Sequence, residues 1–230
     1  MVADRSEWAL ALSKGAIGTI PLVGPLAAEV VGVLIPNQRL ERIERFLEKL
    51  EADVSTVDRA VLESKFHNPS FVDLLEDSFY QAARALSEER LQYIACLVAE
   101  GVSQEDEEYL HLKKMLSILG NLNDAEILFL VFYGKFGDEQ RAFMEQHKDV
   151  LYPKWAAMQS SDQEHEAALL QSAFKSHLAE LGLLKPRFKK PRRGELPEFD
   201  EKTGMIKATG YDLTALGRML LKYIGQPAAW

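Results

Sequence analysis

The sequence predicts a mainly α protein: a multi-helix bundle preceded by an apolar N-terminal helical hairpin and followed by a C-terminal module with one short β-ribbon. Three observations carry this. Apolar residues recur at helical spacing across most of residues 37–183. The stretch "GAIGTIPLVGPLAAEVVGVLI", Gly15 to Ile35, contains one formal charge, Glu29, in a chain that is 27% charged. A single region, from Leu184 to Leu213, has strand-like ends around a loop rich in proline, glycine and charge. The segments divide as residues 1–36, 37–120 and 121–230.

The first segment reads as two short apolar helices, near 5–16 and 24–35, joined by a bend at "TIPLVGP". Pro21 and Pro25 each remove a backbone donor and clash with the preceding turn, so one continuous transmembrane helix is not expected. Lys14 interrupts the apolar run, and Asp4 and Glu7 offset Arg5, which does not suit a secretory signal. A bilayer, the protein's own core and a partner protein are the three ways to cover such a segment. The side chains concerned are Ile17, Ile20, Leu22, Val23, Leu26, Val30 and Leu34. They are the candidate membrane-interacting residues, and a permanently buried core is the competing reading.

Behind the hairpin, Leu40, Ile43, Leu47, Leu50, Val54, Val57 and Val61 alternate three and four apart. This predicts one long amphipathic helix from Asn37 to Ser64, and Phe46 widens its stripe beyond a narrow coiled-coil seam. Arg39, Glu41, Arg42, Glu44 and Arg45 read as its solvated face, with self-association as the alternative. Asn68 then caps a helix with Pro69 in its first turn and Phe71, Leu74, Leu75, Phe79, Ala82 and Leu86 on one face. Ser87 begins the next helix, which Gly101 closes. A further helix aligns Tyr109, Leu112, Leu116 and Leu119, with Gly120 as a left-handed stop.

A boundary near Asn121 is followed by a capping box from Asn123 to Glu126. Helices are expected near 124–133, 138–149 and 162–182, strands around 184–188 and 204–212, and a closing helix capped by Thr214. Three helices, a two-stranded wing and a final helix make a winged-helix-like order.

The tract "SEERLQYIACLVAEGV", then "LKKMLSILGNLNDAEILFLVFYGK", "HLAELGLL" and "YDLTALGRMLLKYIG", resembles bacterial proteins grouped as abortive infection alpha, over about residues 87–225. The resemblance implies an intracellular bacterial effector of phage defence. Its matching positions, among them Leu91, Leu97, Leu116, Leu119, Leu122, Ile127 and Leu128, read as core, so it transfers no functional residue.

Chemistry is sparse. No phosphate-cradling glycine loop, GxSxG elbow or HExxH pair occurs, and none of His67, His111, His147, His165 and His177 lies three or four residues from another. "EHE" at 164–166 points its side chains in different directions on a helix, and Cys96 sits in an apolar helix as a small hydrophobe. The expectation is a non-enzymatic protein with no cofactor and no metal. The one concentrated charge signal is "KPRFKKPRRG", with Lys185, Arg187, Lys189, Lys190, Arg192 and Arg193 within nine residues. These are candidate anion-binding residues for nucleic acid, anionic lipid or an acidic partner, against the simpler reading of a solvated loop. A formal net charge of -8 disfavours general nucleic-acid affinity, as do Asp162, Glu164, Glu166 and Glu180 on the helix that would read DNA. The expected partners are a membrane surface, another protein or a second copy, with nucleic acid disfavoured, and the expected location is cytoplasmic or peripheral at the inner membrane.

Overall fold

The computed structural model describes residues 40–102, 109–154, 161–191, 196–199, 204 and 206–228. The hairpin expected within 1–36, and the acidic run Glu105 to Glu108, lie outside the described residues. Among the described residues the chain is mainly α, with ten helices and one two-stranded sheet. It divides into two compact units between Asn121 and Leu122, with Tyr223–Gly225 clustering with the first.

The first unit contains α1 (Leu40–Val54), α2 (Arg59–Phe66), α3 (Pro69–Ala82), α4 (Glu88–Val102) and α5 (Tyr109–Asn121). Helix α1 lies along α4, while α3 packs against α4 and α5. Ile43, Phe46, Leu47, Leu50 and Val54 are buried, as the spacing requires. Phe46 meets Phe79 edge to face, with centroids 5.8 Å apart, and Phe71 lies between Phe66 and Tyr109. Side chains from neighbouring segments bond carbonyls at the end of α3 and in the C-terminal half of α5: Arg42 donates to Ala83, Gln81 to Leu116 and Arg90 to Leu119.

Four sequence expectations need correction here. The single helix from Asn37 to Ser64 is two helices, because the chain turns at Ser55–Asp58. The Ser55 hydroxyl donates to the Ala52 carbonyl, and Asp58 caps α2 by accepting from the Ala60 amide. This turn resets the helical phase, so Leu62 is buried and Val61 is exposed. Leu86 is also exposed, because α3 ends at Ala82 and Leu86 falls in the connection. Gly120 is not left-handed, and α5 continues through Asn121. The face carrying Arg42 and Arg45 is not merely solvated: Arg45 pairs with Glu88 at 2.7 Å, and Lys49 reaches the same carboxylate at 3.3 Å.

The second unit runs α6 (Asp124–Gly134), α7 (Gly137–Gln146), α8 (Lys148–Leu151), α9 (Asp162–Glu180), β1 (Leu184–Phe188), β2 (Ala208–Leu213) and α10 (Ala215–Tyr223). Helix α6 begins with the expected Asn123–Glu126 capping box, and α9 with a second one from Ser161 to Glu164. Gly182, at φ 73°, lets the chain leave α9 and enter β1. Phe129, Leu130, Leu151, Leu178, Leu183, Leu184, Leu220 and Leu221 are buried in this unit. Gly217 admits α10 to close range: a Cβ there would stand 2.4 Å from the Leu183 carbonyl oxygen. The Thr214 hydroxyl accepts from the Gly217 amide and is itself placed 2.7 Å from the Gly182 carbonyl, so one cap joins α10 to the end of α9.

Candidate functional site

The concentrated basic segment lies on the ribbon. Strands β1 and β2 are antiparallel, in the register Leu184 with Leu213, Lys185 with Asp212, Pro186 with Tyr211 and Arg187 with Gly210. The register then shifts, and Phe188 pairs with Ala208, leaving Thr209 as an extra residue whose hydroxyl donates to the Arg187 carbonyl. Alternation puts Lys185 and Arg187 on the face opposite Leu184 and Pro186. On the inner side, Tyr211 meets the Tyr133 ring with centroids 6.2 Å apart. Burial pushes the Tyr133 hydroxyl up to about 12 and raises that of Tyr211. Both phenols therefore remain neutral anchors of the ribbon.

The ribbon's cations are distributed unevenly. Arg187 lies over Gly210, where a Cβ would stand 2.7 Å from its guanidinium nitrogen, and Nε is 3.3 Å from Asp212. Lys189 donates to Glu198 at 2.9 Å. That bond raises the Lys189 pKa and lowers that of Glu198. Lys185 and Lys190 are exposed and have no ion-pair partner among the described residues. Arg192 and Arg193 lie outside the described residues. Of the six basic residues singled out by sequence, two are thus already paired and two are open.

Beyond the bulge the ribbon continues as a looser return. The Lys207 amide donates to the Glu198 carbonyl at 2.8 Å, and Phe199 forms an isolated antiparallel bridge with Ile206. The sequence marks this region by its charge and its strand-like ends. The structure adds four large apolar side chains in the open: Phe188 at 48%, Leu196 at 85%, Phe199 at 55% and Ile206 at 43% exposure. Their signal was present in sequence as isolated apolar residues among charges, a pattern that does not separate a buried contact from an exposed one.

A second polar arrangement extends beyond the Glu126 cap that the sequence announces. Glu126 is buried within the apolar α6, and His177 from α9 places Nδ1 2.8 Å from its Oε1. Its other oxygen accepts from the Asn123 amide as part of the capping box. Gln171, also buried, donates to the Val150 and Tyr152 carbonyls and accepts from the Lys154 amide. Both side chains are satisfied fasteners, holding α6 or the 150–154 segment to α9.

The remaining chemical candidates are dispersed. Glu164 is used in its capping box, the His165 ring faces the Ser161 carbonyl and Glu166 is exposed, so "EHE" does not converge. Among the described residues no group of three or more His, Cys, Asp or Glu side chains has the geometry of a metal site. Cys96 is half-buried beside Gln92, and burial pushes its thiol up, away from thiolate reactivity. Of the positions carrying the abortive infection resemblance, Leu91, Leu97, Leu116, Leu119, Leu122 and Ile127 are buried and Leu128 is partly so. Comparison with known proteins found no matching family model, no matching curated protein and no matching solved structure.

Proposed function

We propose that the chain is a non-enzymatic bacterial effector that acts at a membrane through its N-terminal apolar segment, in the phage-defence setting that resemblance to abortive infection alpha proteins implies. The observation that supports it is Gly15–Ile35, with a single charge and two prolines in a chain that is 27% charged overall. Among the described residues no single helix is long and apolar enough to cross a membrane. A bent hairpin satisfies its backbone within two short helices and leaves Lys14 and Glu29 near water, so it suits reversible entry better than permanent spanning. Reversible entry requires that Ile17, Ile20, Leu22, Val23, Leu26, Val30 and Leu34 be covered at rest, by the protein's own helices or by a second subunit. Their release makes insertion downhill.

Expression in bacteria tests this directly. The wild-type chain should slow growth and permeabilise the inner membrane, while Leu22→Asp with Val23→Asp should abolish both and leave the helical circular dichroism unchanged. If the wild type does neither under phage challenge, and the segment proves an immobile core element, a protein-interaction scaffold replaces the effector reading.

One observation favours a second reading. The order of α6, α7, α8 and α9, then β1 and β2, then α10, is compatible with a winged helix whose ribbon carries basic residues. Such a protein would regulate by binding nucleic acid. The exposed Asp162, Glu164 and Glu166 on α9 repel phosphates where a recognition helix would approach them. Replacement of Lys189, Lys190, Arg192 and Arg193 by Ala should flatten the salt dependence of duplex binding if this reading is right.

A further inference from the structure

The outer end of the ribbon combines two features that water alone does not explain. Phe188, Leu196, Phe199 and Ile206 are all substantially exposed, and they occur within the same ribbon that carries Lys185, Arg187, Lys189, Lys190 and Lys207. The described residues of this end are tied to one another. Lys189 is tied to Glu198, the Lys207 amide to the Glu198 carbonyl, and Phe199 is paired with Ile206. In an antiparallel pair, opposed side chains project to the same side, so Phe199 and Ile206 form one apolar point.

We infer that this ribbon end docks on an anionic phospholipid surface, with Phe199 and Ile206 entering the interfacial region and the lysines holding headgroup phosphates. Charge complementarity chooses the occupant. The chain carries a formal net charge of -8, so an anionic bilayer repels it as a whole and accepts it only where cations are concentrated. Lys185 and Lys190 are exposed, so their ammonium groups stand at the surface that phosphates would approach. Lysine stems snorkel, so the ammonium groups stay with headgroups while neighbouring apolar side chains sit deeper. Nucleic acid would use the same lysines and would give Phe188 and Phe199 bases to stack on, but it offers no continuous apolar layer to cover Leu196 and Ile206 as well. This docking is independent of insertion by the N-terminal segment: it orients the protein on the surface, whereas the hairpin perturbs the bilayer.

The test is flotation of the full chain with vesicles of phosphatidylcholine alone or with about one third phosphatidylglycerol. The wild type should bind the anionic vesicles and not the neutral ones. Phe199→Ser with Ile206→Ser should weaken binding about tenfold by removing apolar insertion. Lys185→Gln with Lys190→Gln should weaken it by about the same factor and flatten its salt dependence. All four positions are exposed, and thermal melts of the variants should overlay the wild type. Leu22→Asp with Val23→Asp should retain this binding while losing permeabilisation, which separates ribbon docking from the hairpin's role. Equal binding to neutral vesicles, ribbon variants that bind like the wild type, or lysine-dependent binding to duplex DNA without vesicle binding would each overturn the inference.

Discussion

Glu126 carries two obligations with one carboxylate, closing the N-terminal turn of α6 and holding the His177 ring of α9. Its burial makes both partners dependent on it. Glu126→Ala should destabilise the second unit by about 2 kcal/mol, since it removes a cap and strands a polar ring. Hydrogen exchange of α6 and α9 amides would report the loss, and a change below about 0.5 kcal/mol would show that water replaces the carboxylate. On the ribbon, the Lys189–Glu198 pair sets a pH window. Glu198 is lowered, so its contribution is present above the ordinary carboxylate pKa of about 4.3 and is lost as pH falls through its depressed value. Lys189 is raised, so its contribution is present below about 10.4 and disappears as pH rises through its elevated value. NMR titration of the Glu198 carboxyl should therefore give a midpoint below about 4.3 that moves back toward it in Lys189→Met. An unchanged midpoint would mean that the pair does not form in solution.

At the scale of elements, the turn at Ser55–Asp58 is instructive because no glycine or proline marks it. Apolar spacing continues across the break, since three- and four-residue intervals remain compatible with a helix on either side. Local hydrogen bonding decides instead: Ser55 and Asp58 offer the backbone partners that compete with helical ones. Asp58→Ala should cost about 1 kcal/mol and fray the first turn of α2, where amide exchange would accelerate while α1 keeps its protection. Uniform exchange across both helices would identify α1 and α2 as a single cooperative element. Helices α3 and α6 needed no such arbitration, because Asn68 with Pro69 and Asn123 with Glu126 are start signals contained within four residues.

For the whole molecule, acidic charge and exposed ribbon apolar groups oppose each other in colloidal behaviour. The sequence pI is about 5.3, so electrostatic repulsion between copies is weakest near that pH. Light scattering at low salt should show maximal association there, and Phe199→Ser with Ile206→Ser should reduce it if the exposed ribbon end mediates the contact. The same scattering in both proteins would move the sticky surface elsewhere in the chain.

Helical class, the start signals of α3, α6 and α10, and the place of the β-ribbon were legible in the residues themselves. Caps, helical periodicity and turn chemistry act over a few positions, so Asn68, Asn123 and Thr214 announce their roles without knowledge of the rest of the fold. Tertiary structure alone decided which of Val61 and Leu62 is buried, because that depends on the helical phase after the turn. It also decided that Glu126 meets a histidine 51 residues away and that Glu198 returns to Lys189. Those pairings require distant segments to be brought into register, and a side chain's own neighbours carry no record of which remote group will face it. The ribbon's basic character was therefore readable from composition, while its exposed apolar end emerged only when Phe199 was placed opposite Ile206.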